Sequence, residues 1–268
     1  MTSGKQDGRC RLDVMLTERG LFETRSKASA AVLAGEVFVG PGRDRAAKPG
    51  QMLPLEIELE VADTRRFVSR GGIKLENALT ALAVDVEGLR CLDVGASTGG
   101  FTDCLLQRGA KDVIAVDVAY GELAWSLRQD SRVFVMERKN ARDLGPADLP
   151  WQPDLAVCDV SFIAVAKVMG AISSVLPPDG EGVLLVKPQF EVGKDSVGRG
   201  GVVRDAATRR MALVNAGTAA IASGLGPIAF ASSGLPGPKG NRETFLHVRK
   251  GQVTTDEELL TMAETAEP

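Results

Sequence analysis

Over the first sixty residues the apolar positions follow helical spacing and then strand spacing. Leu12, Met15 and Leu16 fall at i, i+3 and i+4, which predicts an amphipathic helix stopped at Gly20. Thr24 reads as the N-cap of a second helix, with Ala28, Ala31 and Val32 on one face and Gly35 as its stop. Val37–Val39 is a short strand, the loop GPGRDRAAKPG follows, and the alternation of Leu55, Ile57, Leu59 and Val61 predicts a further strand. Residues 1–62 thus form a small α+β unit, and the polar, basic residues 63–70 read as a linker.

Beyond residue 70 the pattern becomes strand and helix in alternation. Strands are predicted at Arg90–Val94, Asp112–Asp117, Arg132–Met136, Leu155–Cys158, Gly182–Lys187, Pro227–Ala231 and Thr244–Val248. Helical stretches lie near 73–84, 100–108, 121–128, 164–175 and 205–223. This alternation implies an α/β fold over residues 71–252, a mostly parallel seven-stranded sheet covered on both faces. Residues 253–268 are an acidic tail, either a helix or a frayed end.

Composition narrows the chemistry. The 268 residues carry 32 Lys and Arg against 35 Asp and Glu, a net charge of −3, so the chain is not a generally basic nucleic-acid binder. The charge is uneven, however. Residues 1–75 hold 13 basic against 10 acidic side chains, and a local basic face there suits phosphate binding. No run of about 18 apolar residues exists to span a membrane. The first residues lack the apolar core of a secretory signal, so the expected location is cytoplasmic, without membrane insertion. The four cysteines are far apart and there is a single histidine, His247, so no metal site is expected and Ser-His-Asp chemistry is disfavoured. Scattered thiols of this kind are expected to be reduced core residues.

The first motif with chemistry is CLDVGASTGGF, residues 91–101: a strand, a glycine-rich turn and the start of a helix. Gly95, Ala96, Ser97, Gly99, Gly100 and Phe101 are the candidates for close backbone approach to a bound nucleoside. Asp117, 22 residues after Gly95 at the end of the next strand, suits ribose hydroxyls. This pairing alone fits a nicotinamide dinucleotide as well as S-adenosylmethionine. Two details favour the second. The turn does not read G-x-G-x-x-G, and Asp93 precedes it, where an acid would attract a cationic amino acid group and repel a pyrophosphate.

Two further strands end in charged residues, Asp159 in CDVSF and Lys187 in LLVKPQF. Open α/β folds bind ligands at the carboxyl edge of the sheet, and a lysine closing a buried strand is costly without a partner. Lys74 and Glu243 complete a candidate set of two lysines and two acids. Arg11, Arg25 and Lys27 sit at predicted helix starts, where cations oppose the helix dipole; they read either as a phosphate site or as a solvated face. Arg138 follows the third strand. Lys194, Arg199 and Arg204 lie in a glycine-rich loop that reads as a lid, an RNA-contacting flap or a plain solvated loop.

The segments RLDVMLTERGL, RSKA, GEVFV and KPGQ resemble the S4 RNA-binding domain. VSRGGIKL, CLDVGASTGGFTD, CDVSFI, LVKPQFEVGK and LPGPKGNRETFL make residues 65–250 similar to the FtsJ-type ribose 2′-O-methyltransferases. Over its whole length the chain resembles the TlyA family, which joins these two modules and was historically labelled haemolysin. The resemblance implies a Rossmann-like class I methyltransferase fold behind an S4 domain, and a Lys-Asp-Lys-Glu tetrad at Lys74, Asp159, Lys187 and Glu243. It implies S-adenosylmethionine as cofactor, held at Asp93, the 95–101 turn and Asp117, with Asn140 beside the adenine. The implied substrate is the ribose 2′-OH of cytidine in 16S or 23S RNA within ribosomal subunits. Arg11, Arg25, Lys27, Arg65, Arg66, Arg138, Lys194, Arg199 and Arg204 are its expected RNA contacts. The other reading is an inactive S4-containing protein that only binds ribosomes or their assembly intermediates.

Overall fold

Leu12, Leu16, Ala28 and Val32 pack with Val37 and Ala46 into the core of the N-terminal unit. In the computed structural model this unit is Met1–Arg66 and a second is Phe67–Pro268. The structure describes residues 5–6, 8–33, 35–61, 66–193, 196–237 and 239–267. The first unit runs β1 (Lys5–Gln6), β2 (Arg9–Arg11), α1 (Leu12–Glu18), α2 (Arg25–Leu33), β3 (Val37–Val39), β4 (Asp44–Arg45), β5 (Met52–Pro54) and β6 (Leu59–Val61). Thr24 caps α2 through its hydroxyl, which accepts from the Lys27 amide at 3.3 Å.

Of the strand expected over residues 55–61 only Leu59–Val61 forms, and an unexpected strand, Met52–Pro54, precedes it. Pro54 ends β5 and has no N–H to continue a ladder, and the Ile57 amide turns back to the Pro54 carbonyl at 3.2 Å. β5 and β6 join different sheets, β1-β2-β5 and β4-β3-β6.

The second unit begins with α3 (Arg70–Ala81), β7 (Arg90–Val94), α4 (Gly100–Gln107), β8 (Asp112–Val116), α5 (Trp125–Arg128) and β9 (Val133–Met136). It continues with β10 (Leu155–Cys158), α6 (Ala166–Val175), β11 (Glu181–Val186), α7 (Pro188–Glu191), α8 (Ala206–Ala222), β12 (Leu225–Ser232), β13 (Thr244–Lys250) and α9 (Asp256–Ala266). These strands form one seven-stranded sheet in the order β12-β13-β11-β10-β7-β8-β9. The five strands from β11 to β9 are mutually parallel, and β13 runs against both of its neighbours. Alternate residues of the same strands feed two apolar layers. Cys91, Val113, Val157 and Val183 pack with Leu75 and Leu105 on one face; Leu92, Ile114, Ala156 and Leu184 pack with Met169 and Leu213 on the other.

Two helical expectations change. Only the last turn of the stretch expected at 121–128 is α-helical, because Gly121 takes a left-handed φ of +78° and its amide is drawn to Glu137 Oε1 at 2.8 Å. The acidic tail is not frayed. A capping box between Thr255 and Glu258 starts α9, and Leu259 and Ala263 bury one face of it. Among the described residues no helix is long and apolar enough to cross a membrane. All four cysteines are buried and free.

Candidate active site

The topology explains why residues distant in sequence converge. Asp159 follows the last residue of β10 and Lys187 follows the last of β11, so both leave the carboxyl edge of the parallel strands. Because β13 is antiparallel, its beginning lies at that same edge. Val186 is opposite Thr244 in the register, which puts Lys187 beside Glu243. Lys74 comes from the buried side of α3, whose N-terminus is capped by the Ser69 hydroxyl accepting from the Gly71 amide.

The four charges form two pairs. Lys74 Nζ lies 2.5 Å from Glu243 Oε2, with side chains only 8% and 1% exposed. Lys187 Nζ is ion-paired with Asp159 Oδ1 at 2.5 Å in a geometry that is not a hydrogen bond, and it donates to Ser161 Oγ at 2.7 Å. All four side chains line a cavity of about 820 Å³. A second cavity of about 360 Å³ adjoins it and shares Asp159, Ser161 and Phe162 with it. The arrangement supplies two cations at one mouth, each oriented by an acid, facing a second compartment. That is what in-line transfer to a poorly acidic hydroxyl requires.

The residues expected to hold a cofactor divide into three groups. Gly95, Ser97, Asp117 and Asn140 line the smaller cavity. Gly95 has φ +87°, and a Cβ there would lie 2.7 Å from the Asp159 carbonyl oxygen, so the turn after β7 passes against the segment carrying Asp159. Asp117 accepts from the Ser97 and Ala119 amides at 2.7 and 2.8 Å, and Asn140 accepts from the Arg142 amide at 3.1 Å. Asp93 and Ala96 are buried and are not among the residues that line the smaller cavity. Gly99, Gly100 and Phe101 face the protein interior. A Cβ on Gly99 would strike Leu127 at 2.3 Å, one on Gly100 would strike Ser69 Oγ at 2.1 Å, and the Phe101 ring packs on Phe245. At both glycines the space a Cβ would need is already filled by a neighbouring side chain.

Asp93 is the informative member. One oxygen accepts from the amide and hydroxyl of Thr102 at 2.9 and 2.6 Å; the other is buried with no hydrogen-bond partner. Burial pushes its carboxyl up to about 7, against the lowering effect of Thr102. A carboxylate oxygen left without a partner, together with the Asp117 carboxylate, fits a ligand with a cationic amino acid group and ribose hydroxyls.

Protonation of Asp93 carries a testable sign. Between about pH 4 and 7 the folded chain holds a proton there that the unfolded chain has lost, so this group lowers folding stability as pH rises through that window. A cationic ligand selects the ionised form. Affinity for S-adenosylhomocysteine, followed by calorimetry, is therefore expected to be about five- to tenfold weaker at pH 6 than at pH 7.5. Asp93→Asn should weaken binding and flatten this dependence; a pH-independent affinity in the unaltered chain would show that Asp93 does not face the ligand.

Of the expected RNA contacts, Arg11 and Arg25 both pair with Asp13, and Lys27 pairs with Glu23 at 2.5 Å. Arg66, Arg199 and Arg204 are exposed, and Arg138 stacks over the Tyr120 ring at 4.4 Å. Arg65 and Lys194 lie outside the described residues.

Sequence reasoning missed several residues around the larger cavity. Ser161 had no signal beyond its nearness to Asp159. Phe162 is 90% exposed, with a left-handed φ of +69°, and stands 6.0 Å from Phe190. A bulky residue held in that region is strained, so the loop is fixed by its surroundings. Glu191 ties α7 to the start of α6 by accepting from the Val165 amide at 2.7 Å. Asn241 is buried, accepts from the Val203 amide at 2.9 Å and donates to the Gly201 carbonyl at 2.8 Å, which pins that loop beside Glu243.

Comparison with known proteins agrees with this geometry. The model of the FtsJ-like methyltransferase family matches residues 67–250. The 16S/23S rRNA (cytidine-2′-O)-methyltransferase TlyA of Mycobacterium tuberculosis is 47% identical over 90% of each chain. Hemolysin A of Brachyspira hyodysenteriae is 40% identical over 88% of this chain and 98% of its own. Among solved structures, a hemolysin-named protein from Streptococcus thermophilus superposes with a TM-score of 0.71 at 38% identity, covering 97% of this chain and 96% of the other. Two lysines and two acids gathered at the sheet edge, a neighbouring cavity lined by Gly95 and Asp117, and a family match over most of the length have one common explanation: this chain belongs to the FtsJ-like methyltransferase family.

Proposed function

We propose that the chain methylates the ribose 2′-OH of cytidine in ribosomal RNA, using S-adenosylmethionine, and that its first unit is an S4-type module that captures the RNA. The observation that carries this reading is the meeting of Lys74, Asp159, Lys187 and Glu243 in one cavity that opens onto the compartment lined by Gly95 and Asp117. The relatives named as rRNA cytidine-2′-O-methyltransferases supply the substrate class.

S-adenosylmethionine supplies, when bound, a methyl group already activated by its sulfonium charge. Asp93 would hold the amino acid end, Asp117 the ribose, and Asn140 would border the base. Lys187, oriented by Ser161 and Asp159, meets the 2′-oxygen as negative charge builds on it. The hydroxyl proton would pass to the Asp159 carboxylate, whose Oδ1 has no hydrogen-bond partner, as the O–C bond forms and the bond from the methyl group to sulfur breaks, with S-adenosylhomocysteine leaving. Lys74, locked to Glu243, adds a second positive charge at the same wall. Phe162, exposed between the two cavities with Phe190 beside it, is the surface on which an unstacked target base rests.

The test uses salt-washed 30S and 50S ribosomal subunits from cells lacking the gene, incubated with the full chain and methyl-labelled S-adenosylmethionine. Label is expected in one or both subunits, at cytidines that become reverse-transcription stops at low nucleotide concentration. Tight binding to subunits with no label transferred would leave the ribosome-binding protein as the correct reading.

A further inference from the structure

In the first unit, Asp13 on α1 is 3% exposed yet carries a full set of charged contacts. Its Oδ1 accepts from Arg11 Nε at 3.0 Å, and its Oδ2 accepts from Arg11 Nη2 at 2.8 Å and from Arg25 Nη2 at 3.0 Å. One carboxylate therefore orders two guanidinium groups from different elements, β2 and the first residue of α2. The arginines stay open to solvent, with side chains 37% and 57% exposed. The far side of Arg11 is fixed as well. A Cβ on Gly50 would lie 3.1–3.2 Å from the Arg11 guanidinium, so that group rests directly on the Gly50 backbone.

We propose that Asp13 is a positioning residue for a phosphodiester site, holding the forks of Arg11 and Arg25 so that their remaining N–H groups converge on one RNA phosphate. The inference rests on the RNA-binding role given above to the first unit and adds the device that makes it specific. Two arginines at the start of two elements would otherwise each sample many rotamers, and ordering them at the moment of binding costs affinity. Prepaired to a buried acid, they keep a net positive charge and a fixed geometry suited to bidentate contact. The acid is itself held in the ionised form, since the Arg11 hydrogen bonds keep its carboxyl below the usual range against the opposing effect of burial.

The consequence runs against simple charge counting. Asp13→Asn adds one positive charge to a face that binds a polyanion, so counterion release alone predicts tighter binding. Pre-organisation predicts the opposite, about tenfold weaker binding of the full chain to salt-washed 30S or 50S subunits at fixed ionic strength. A structural role for Asp13 is separated by a cycle: on an Arg11→Ala/Arg25→Ala background, Asp13→Asn should cost nothing more. Gly50→Ala is a second probe that leaves Asp13 in place. The atoms it crowds first are those of the Arg11 guanidinium, and it should weaken subunit binding a few-fold, with S-adenosylhomocysteine affinity unchanged.

Subunit binding that is unchanged or tighter in both Asp13→Asn and Gly50→Ala would overturn the proposal. So would an undiminished loss from Asp13→Asn on the double-alanine background. If Asp13→Asn does not fold, Gly50→Ala decides alone. Failure of the unaltered chain to bind either subunit would overturn the RNA-binding reading, and this inference with it.

Discussion

Lys187→Ala is expected to lower the rate of methyl transfer by roughly a thousandfold, while affinity for S-adenosylhomocysteine stays within about twofold of the unaltered chain. Lys187 is the only one of the four charged residues that also donates a hydrogen bond to a hydroxyl shared by both cavities, at 2.7 Å to Ser161. Its ammonium therefore stands where the acceptor oxygen must meet the methyl donor. Loss of one such donor to a developing oxyanion typically costs about two to three powers of ten. The smaller cavity is walled by Gly95, Ser97 and Asp117 and does not include Lys187, so donor binding should survive. Ser161→Ala removes one of the partners that orient the ammonium and should cost about tenfold in turnover with little change in KM. Single-turnover assays at saturating subunits read both variants. Full turnover in Lys187→Ala would remove the lysine from the mechanism.

Sequence reading was strongest where one periodicity had one meaning. The parallel strands β7, β8, β10 and β11 are short, largely apolar runs buried on both faces, and Asp117, Asp159 and Lys187 stand just past the ends of β8, β10 and β11, where they line the two cavities. Asp159 and Lys187 were therefore legible as strand-end charges before any coordinates. The failures have physical causes. A glycine in a turn allows backbone to approach a ligand or a neighbouring element equally well, so the sequence alone does not reveal that Gly99 packs on Leu127 and Gly100 on Ser69. Alternation over Leu55, Ile57, Leu59 and Val61 could not reveal that Pro54 ends one ladder and that the chain then changes sheets. Phe162 lay inside a recognised motif, but its exposure and left-handed backbone depend on neighbours on α7. The cationic helix starts suggested a phosphate site, while the acid that orders them, only two residues from Arg11, was not connected to Arg25 across twelve positions.

The second large effect concerns the Lys74–Glu243 pair, where stability and chemistry can be separated. Both side chains are almost wholly withdrawn from solvent, and the Gly237 backbone packs directly on Glu243, a Cβ there lying 2.3 Å from Oε1. Removing one charge leaves the other buried and unpaired. Lys74→Met or Glu243→Met alone is expected to destabilise the second unit by about 3–5 kcal/mol. For a domain of this size that is a fall in Tm of roughly 6–20 °C. Removing both charges relieves the desolvation cost of each, and two unbranched thioether side chains of similar reach can fill the space, so Lys74→Met/Glu243→Met should recover most of the lost stability. If the pair serves only to hold α3 against the start of β13, the double variant will recover methyl transfer along with Tm. If Lys74 contributes charge to the cavity wall, as its place beside Lys187 and Asp159 indicates, the double variant will be stable, will bind S-adenosylhomocysteine, and will transfer methyl groups at about a hundredth of the original rate or less. Thermal melts and single-turnover rates measured on the same three proteins distinguish these outcomes.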